Sequence, residues 1–138
     1  MLSEMRYQLI ITDRDGVINH DSDQYIKSVA EWIPIPGSLE KLAAWHHEGR
    51  QLAIASNQSA IARGLMTHQD LDAMHQCLTN QLSQLGTSFC YVGYCLDDPS
   101  KPSEFRKPNP GMLLAAMKAA STSSIDTLFI GDTYTDYQ

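Results

Sequence analysis

Along this chain, short blocks in which apolar residues run together alternate with longer stretches in which they return every three or four positions. Tyr7 to Thr12 is a nearly continuous apolar run and reads as a first strand. Ser38 then stands where a helix cap belongs, and Leu39, Leu42, Ala43 and His46 share one helical face until Gly49 ends it. Gln51 to Ala55 returns to strand. Thr67 with Asp70 has the form of a capping box, and the helix it opens carries an apolar stripe of Leu71, Met74, Leu78, Leu82 and Leu85 that Gly86 stops. Ser88 to Cys95 supplies a third strand. Pro110 and Gly111 open a third helix with Leu113, Leu114, Met117 and Ala120, and Thr127 to Ile130 is a fourth strand. Strands and helices alternating in this way predict an α/β fold with a doubly wound parallel sheet. The connections Asp13 to Pro36 and Leu96 to Pro108 are longer than packing needs, which makes them candidates for loops that face a substrate.

Composition narrows the picture. At 138 residues and 43% hydrophobic content, without a repeat or low-complexity run, residues 1–138 read as a single domain. The one helix between the second and third strands leaves no room there for a large cap. A net charge of −6 argues against nucleic acid as a partner, because binding a phosphate backbone needs a basic face, but it leaves a small charged metabolite open. Neither a secretory signal nor an apolar stretch of transmembrane length is present, so a cytoplasmic protein that does not engage a membrane is expected. Cys77, Cys90 and Cys95 contain no Cys-x-x-Cys pair and read as reduced thiols. Composition does not fix the oligomeric state.

The candidate chemistry gathers where strands end. Ile10-Ile11-Thr12 runs into Asp13-Arg14-Asp15-Gly16, and in an extended chain residues two apart point the same way, so both carboxylates can serve one site. Open α/β sheets bind ligands there, and two acids can divide the roles of nucleophile and proton carrier. After the second strand, Ser56-Asn57-Gln58-Ser59 offers a hydroxyl, amides and main-chain N–H groups suited to phosphate oxygens. Before the third helix, Arg106-Lys107-Pro108-Asn109-Pro110 fixes two cations beside a rigid turn. The fourth strand ends in Gly131-Asp132-Thr133-Tyr134-Thr135-Asp136, whose two acids suit a hard cation.

These four clusters, in this order from Asp13 to Asp136, resemble the haloacid dehalogenase (HAD) superfamily of phosphohydrolases. The stretches Asp13-Arg14-Asp15-Gly16 with Ile18-Asn19, Asn57 to Gly64 and Arg106 to Leu114 are similar to the D-glycero-D-manno-heptose 1,7-bisphosphate 7-phosphatase family and its histidinol-phosphatase relatives. The resemblance implies phosphoryl transfer through an aspartyl phosphate, with Asp13 as nucleophile, Asp15 as general acid and base, and Lys107 offsetting charge. It also implies Mg²⁺ held by Asp13, the Asp15 carbonyl and Asp132, with Asp136 behind them. Ser56, Asn57, Gln58, Ser59 and Thr133 would line the phosphate region, while Asp21, Tyr25 and Arg106 would face the rest of the substrate.

Three departures qualify what the resemblance implies. The family's zinc loop, Cys-Pro-His-His-Pro followed by Cys-x-Cys, is replaced by Cys95-Leu96-Asp97-Asp98-Pro99 and Ser103-Glu104-Phe105, so no zinc is expected. Thr133 stands for the usual lysine and Ala60 for the usual glycine. The family's C-terminal helix and strand have no counterpart before Gln138. Two other readings therefore stand beside the sugar bisphosphatase: a histidinol-phosphate phosphatase, and a degenerate HAD fold acting as a non-catalytic interaction protein.

Overall fold

In a computed structural model of the chain, which describes residues 7–22 and 24–131, four strands and three helices follow one another in the expected alternation. The strands are β1 (Leu9–Thr12), β2 (Gln51–Asn57), β3 (Tyr91–Cys95) and β4 (Thr127–Ile130). The helices are α1 (Ser38–His47), α2 (His68–Gln84) and α3 (Gly111–Ala120), with short 3₁₀ turns at Val29–Glu31 and Ser124–Asp126. All neighbouring strands are parallel, in the order β3-β2-β1-β4. No described helix is long and apolar enough to cross a membrane.

Strand alternation divides the core into two layers. Ile10, Leu52 and Ile54 point into one layer with Leu39 and Leu42 of α1 and Leu71, Met74, Leu78 and Leu82 of α2. Leu9, Ile11, Ala53, Ala55 and Cys95 point into the other, against Met112, Ala116 and Ala120 of α3. The alanines on β2 and α3 are small, which lets that helix lie close to the sheet. Helices on opposite faces make the sheet doubly wound. The chain moves outward from β1 to β3 and then returns to the far side of β1, so the order reverses between β1 and β4, where ligands bind in such sheets.

Several expected details shift. The α1 cap is Gly37 at φ 85°, while the Ser38 hydroxyl donates to the Ile18 carbonyl at 2.7 Å and ties the first long loop to the helix. Strand β2 runs two residues further than expected, so Ser56 and Asn57 pair with Tyr94 and Cys95 instead of following the strand. Strand β3 begins at Tyr91, three residues after the expected Ser88. Leu85 is the α2 C-cap and is exposed, and Leu114 is exposed because α3 buries Met112 and Ala116 in its place. The Thr67–Asp70 capping box is present, with Asp70 N–H donating to Thr67 Oγ1 and Thr67 N–H to Asp70.

Gly111 is where the second long loop is fastened. Its N–H donates to the Glu104 carbonyl at 2.8 Å, and a Cβ there would stand 2.6 Å from the same oxygen. Gly111→Ala is expected to destabilise the fold by about 1–3 kcal/mol, since backbone must move to admit the methyl. Chemical denaturation measures it, and an unchanged midpoint would contradict the fit described here.

Candidate active site

The site begins where β1 stops. The Asp13 N–H donates to the Ile130 carbonyl at 3.0 Å, which places Asp13 at the reversal between β1 and β4. The chain then turns at once. The Arg14 carbonyl accepts from the N–H groups of Val17, Ile18 and Asn19, and Gly16, at φ 86°, supplies a left-handed conformation that a side chain would resist. This turn gathers three consecutive charged side chains at the end of one strand.

Asp13 is buried and fixed at both oxygens. Its Oδ1 accepts from the Arg14 N–H at 2.7 Å, and its Oδ2 pairs with Lys107 Nζ at 3.2 Å. Lys107 is itself held on every side. Asn57 grips its main chain in both directions, Oδ1 accepting from the Lys107 N–H at 3.0 Å and Nδ2 donating to the Lys107 carbonyl at 3.1 Å. The Lys107 ammonium also lies 5.0 Å from the centre of the Phe129 ring on β4. The Asn57 side chain is spent on this clamp, so any hold it has on a phosphate comes from its main chain.

Asp15 sits in a cage of donors. Its Oδ1 accepts from Arg14 Nε and Nη2, both at 2.8 Å, and from Asn19 Nδ2 at 2.9 Å. Its Oδ2 accepts from Gln58 Nε2 at 3.1 Å, and the same nitrogen donates to Ser56 Oγ at 3.0 Å. Arg14 is wholly buried beneath these groups. Its guanidinium carbon lies 5.7 Å from the centre of the Tyr94 ring, on the α2 side of the sheet.

The Tyr94 hydroxyl is in turn 2.9 Å from His75 Nδ1 on α2. Thr79 Oγ1 donates its only proton to the His75 carbonyl, so at 3.3 Å it accepts from His75 Nε2–H, leaving Nδ1 to accept from Tyr94. Burial lowers the His75 pKa and pushes that of Tyr94 up to about 12, so both partners stay neutral near pH 7. Sequence reasoning gave no role to Arg14, Tyr94 or His75. An arginine between two acids just after an apolar strand was the signal that could have found the first of them.

The remaining expected residues lie on or just after β1, β2 and β3 and in the connections that follow them. Ser59 is buried on the turn after β2. Asp21 is exposed and accepts from the Ser22 N–H, while Tyr25, half-buried at φ 67°, has the Arg63 guanidinium carbon 5.8 Å from its ring centre. Arg106 is half-buried and donates from Nη1 to the Asp97 carbonyl at 3.2 Å. Burial in the α3 layer raises the Cys95 thiol's pKa. Asp132, Thr133 and Asp136 lie outside the described residues.

The groups at this strand end that could hold a metal are oxygens. The Asp13 carboxylate and the Asp15 carbonyl, to which no described N–H donates, suit a hard cation such as Mg²⁺ better than a soft one. A buried carboxylate beside a fixed ammonium, a strand-end hydroxyl and a second carboxylate held apart by its own donors can together perform nucleophilic attack on an electrophile that carries negative charge.

Comparison with known proteins adds relatives along nearly the whole chain. A family model described as polynucleotide kinase 3 phosphatase matches residues 5–136. A D-glycero-beta-D-manno-heptose-1,7-bisphosphate 7-phosphatase of Pseudomonas aeruginosa is 41% identical over 134 residues, 97% of this chain and 75% of that protein. The Pseudomonas putida protein of the same name is 41% identical over 95% of this chain and 75% of its own length. The crystal structure of a D,D-heptose 1,7-bisphosphate phosphatase from Bordetella bronchiseptica, complexed with magnesium and phosphate, superposes with a TM-score of 0.90 at 37% identity, covering 95% of this chain and 73% of that one. A HAD-superfamily hydrolase from Geobacter sulfurreducens, at 17% identity and a TM-score of 0.64, shares the fold.

Proposed function

Because the chain belongs to the heptose 1,7-bisphosphate 7-phosphatase family of HAD phosphatases, we propose that it is a Mg²⁺-dependent phosphomonoester hydrolase acting on a heptose or other sugar bisphosphate. The observation that carries the reading is Asp13, buried at the sheet's reversal point and paired with a lysine that β2 and β4 hold in place. The chain's acidic character supports a small substrate over a nucleic acid, whatever the name of the family model. No described helix suits a membrane, and a cytoplasmic place agrees with the three unpaired cysteines.

In the proposed reaction an Asp13 oxygen attacks phosphorus, forming the aspartyl phosphate as the bond to the sugar oxygen breaks. Asp15 gives its proton to that leaving oxygen. It then takes a proton from the water that attacks the same phosphorus, which releases inorganic phosphate and restores Asp13. Ser56 and the main chain at Asn57 hold the phosphoryl oxygens, and Lys107 offsets the charge that gathers on them. Arg106, Asp21 and Tyr25 face the sugar, and Arg106 can hold a second anionic group. Thr133 stands where the family has a lysine, so selection for bisphosphates is weaker than the family pattern implies.

Asp13, the Asp15 carbonyl and Asp132 would hold Mg²⁺, and the ion supplies charge neutralisation at the phosphoryl group. Chelation is expected to abolish turnover and added Mg²⁺ to restore it, with no stoichiometric zinc in the purified protein. Zinc at one equivalent, with unfolding on its removal, would contradict the metal assignment. For the substrate, kcat/KM should be highest for heptose 1,7-bisphosphate, lower for an aryl phosphate and lowest for histidinol phosphate. A preference for histidinol phosphate would overturn the sugar assignment, and phosphate release from none of them in Mg²⁺ would leave the non-catalytic reading.

A further inference from the structure

Gln58 stands among the phosphate-holding residues by its place in the sequence, yet its side chain turns away from that duty. It is nearly fully buried, and its N–H is anchored to the Cys95 carbonyl at 2.7 Å. Its amide lies between two groups of opposite and fixed character. The Arg14 guanidinium can only donate, and its Nη2 lies 3.4 Å from Gln58 Oε1; the Asp15 carboxylate accepts at Oδ2, 3.1 Å from Gln58 Nε2. The reversed amide would set oxygen against carboxylate and NH₂ against guanidinium. Arg14 and Asp15 therefore leave the amide one orientation.

The two oxygens of Asp15 are not equivalent in this cage. Three donors, two of them on a cation, converge on Oδ1. Among the described residues Oδ2 has a single neutral donor, Gln58 Nε2, whose other proton goes to the Ser56 hydroxyl, so one amide ties Oδ2 to that hydroxyl. Oδ2 is thus the Asp15 oxygen that Gln58 fixes on the side of the Ser56 hydroxyl.

We propose, resting on the phosphatase reading given above, that Gln58 is a positioning residue for proton transfer, its Arg14-oriented amide fixing the Asp15 carboxylate beside the phosphoryl-binding Ser56 hydroxyl. The acid step is then the part of the reaction that depends on Gln58. In that step the sugar oxygen takes the Asp15 proton as its bond to phosphorus breaks, and Asp15 is left as the carboxylate to which Arg14, Asn19 and Gln58 donate.

The test compares two leaving groups. A sugar oxygen must be protonated as it leaves, while p-nitrophenolate leaves with little help, and kcat/KM reports only the steps through formation of the aspartyl phosphate. In Gln58→Met, which keeps length and removes the donor, kcat/KM for the sugar phosphate is expected to fall on the order of 100-fold. The fall for p-nitrophenyl phosphate should be at least about ten times smaller. Should Gln58→Met fail to fold, Gln58→Glu, alike in shape and unable to donate when ionised beside Arg14, carries the same expectation. Equal losses on both substrates in a folded variant would overturn the positioning role and leave the phosphatase reading standing. A wild-type protein that cleaves neither substrate would overturn the phosphatase reading, and the positioning role with it.

Discussion

Asp13→Asn is expected to abolish turnover, with kcat falling on the order of 10⁴-fold or more, while the protein still folds. The amide has almost the volume of the carboxylate, and its oxygen can still accept from the Arg14 N–H that now meets Asp13 Oδ1 at 2.7 Å. It cannot form an acyl phosphate. The loss therefore belongs to the chemical step, and binding of inorganic phosphate in the presence of Mg²⁺ should survive in part. Rapid-quench kinetics on protein checked by mass for deamidation measures it. Retained turnover in such a preparation would remove Asp13 from the reaction.

The second large effect is expected at Lys107. Its ammonium is 3.2 Å from Asp13 Oδ2, almost completely shielded from solvent, and has been placed there by the Asn57 clamp and the Phe129 ring. A fixed cation that needs no reorganisation stabilises developing phosphoryl charge far better than one drawn from solvent. Lys107→Met, similar in length and without charge, should lower kcat by about 100- to 1,000-fold. Breaking a buried ion pair from one side also lowers stability, so the denaturation midpoint should fall in the same variant. Steady-state kinetics with a denaturation curve checks both. Near-normal kcat would mean that the lysine serves packing alone.

Much of this arrangement was legible in the sequence, and the reasons are local. The apolar run before Asp13 and the capping box at Thr67 are signals carried by neighbouring residues, and the strands and helices they announce are present. Helix α3 shows where such signals stop. Met112, Leu113, Leu114, Ala116 and Met117 are apolar around most of its circumference, so only the sheet beneath could decide that Met112 and Ala116 face inward and Leu114 outward. The end of β2 was similarly hidden, because Ser56 and Asn57 look like turn residues until β3 is beside them to pair with.

The site divides in the same way. Alternation along β1 puts Asp13 and Asp15 together, but it also sends Arg14 to the opposite face, which suggests a residue without a part to play. The chain leaves the strand at this point, and the turn through Gly16 brings the guanidinium back onto Asp15. Support from Tyr94 and His75 reaches Arg14 across the sheet and from α2, separations that periodicity does not encode. The clamp of Asn57 on Lys107 spans 50 residues and was equally out of reach.

In the proposed reaction Asp13 carries the phosphoryl group during a Mg²⁺-dependent hydrolysis. Mixing the protein with Mg²⁺ and heptose 1,7-bisphosphate, quenching in acid within the first turnover and mapping the peptides by mass tests it in one measurement. The mass of one phosphoryl group on the peptide containing Asp13, absent when Mg²⁺ is chelated, is the expected result. Inorganic phosphate released while that peptide stays unmodified at every quench time would contradict the account.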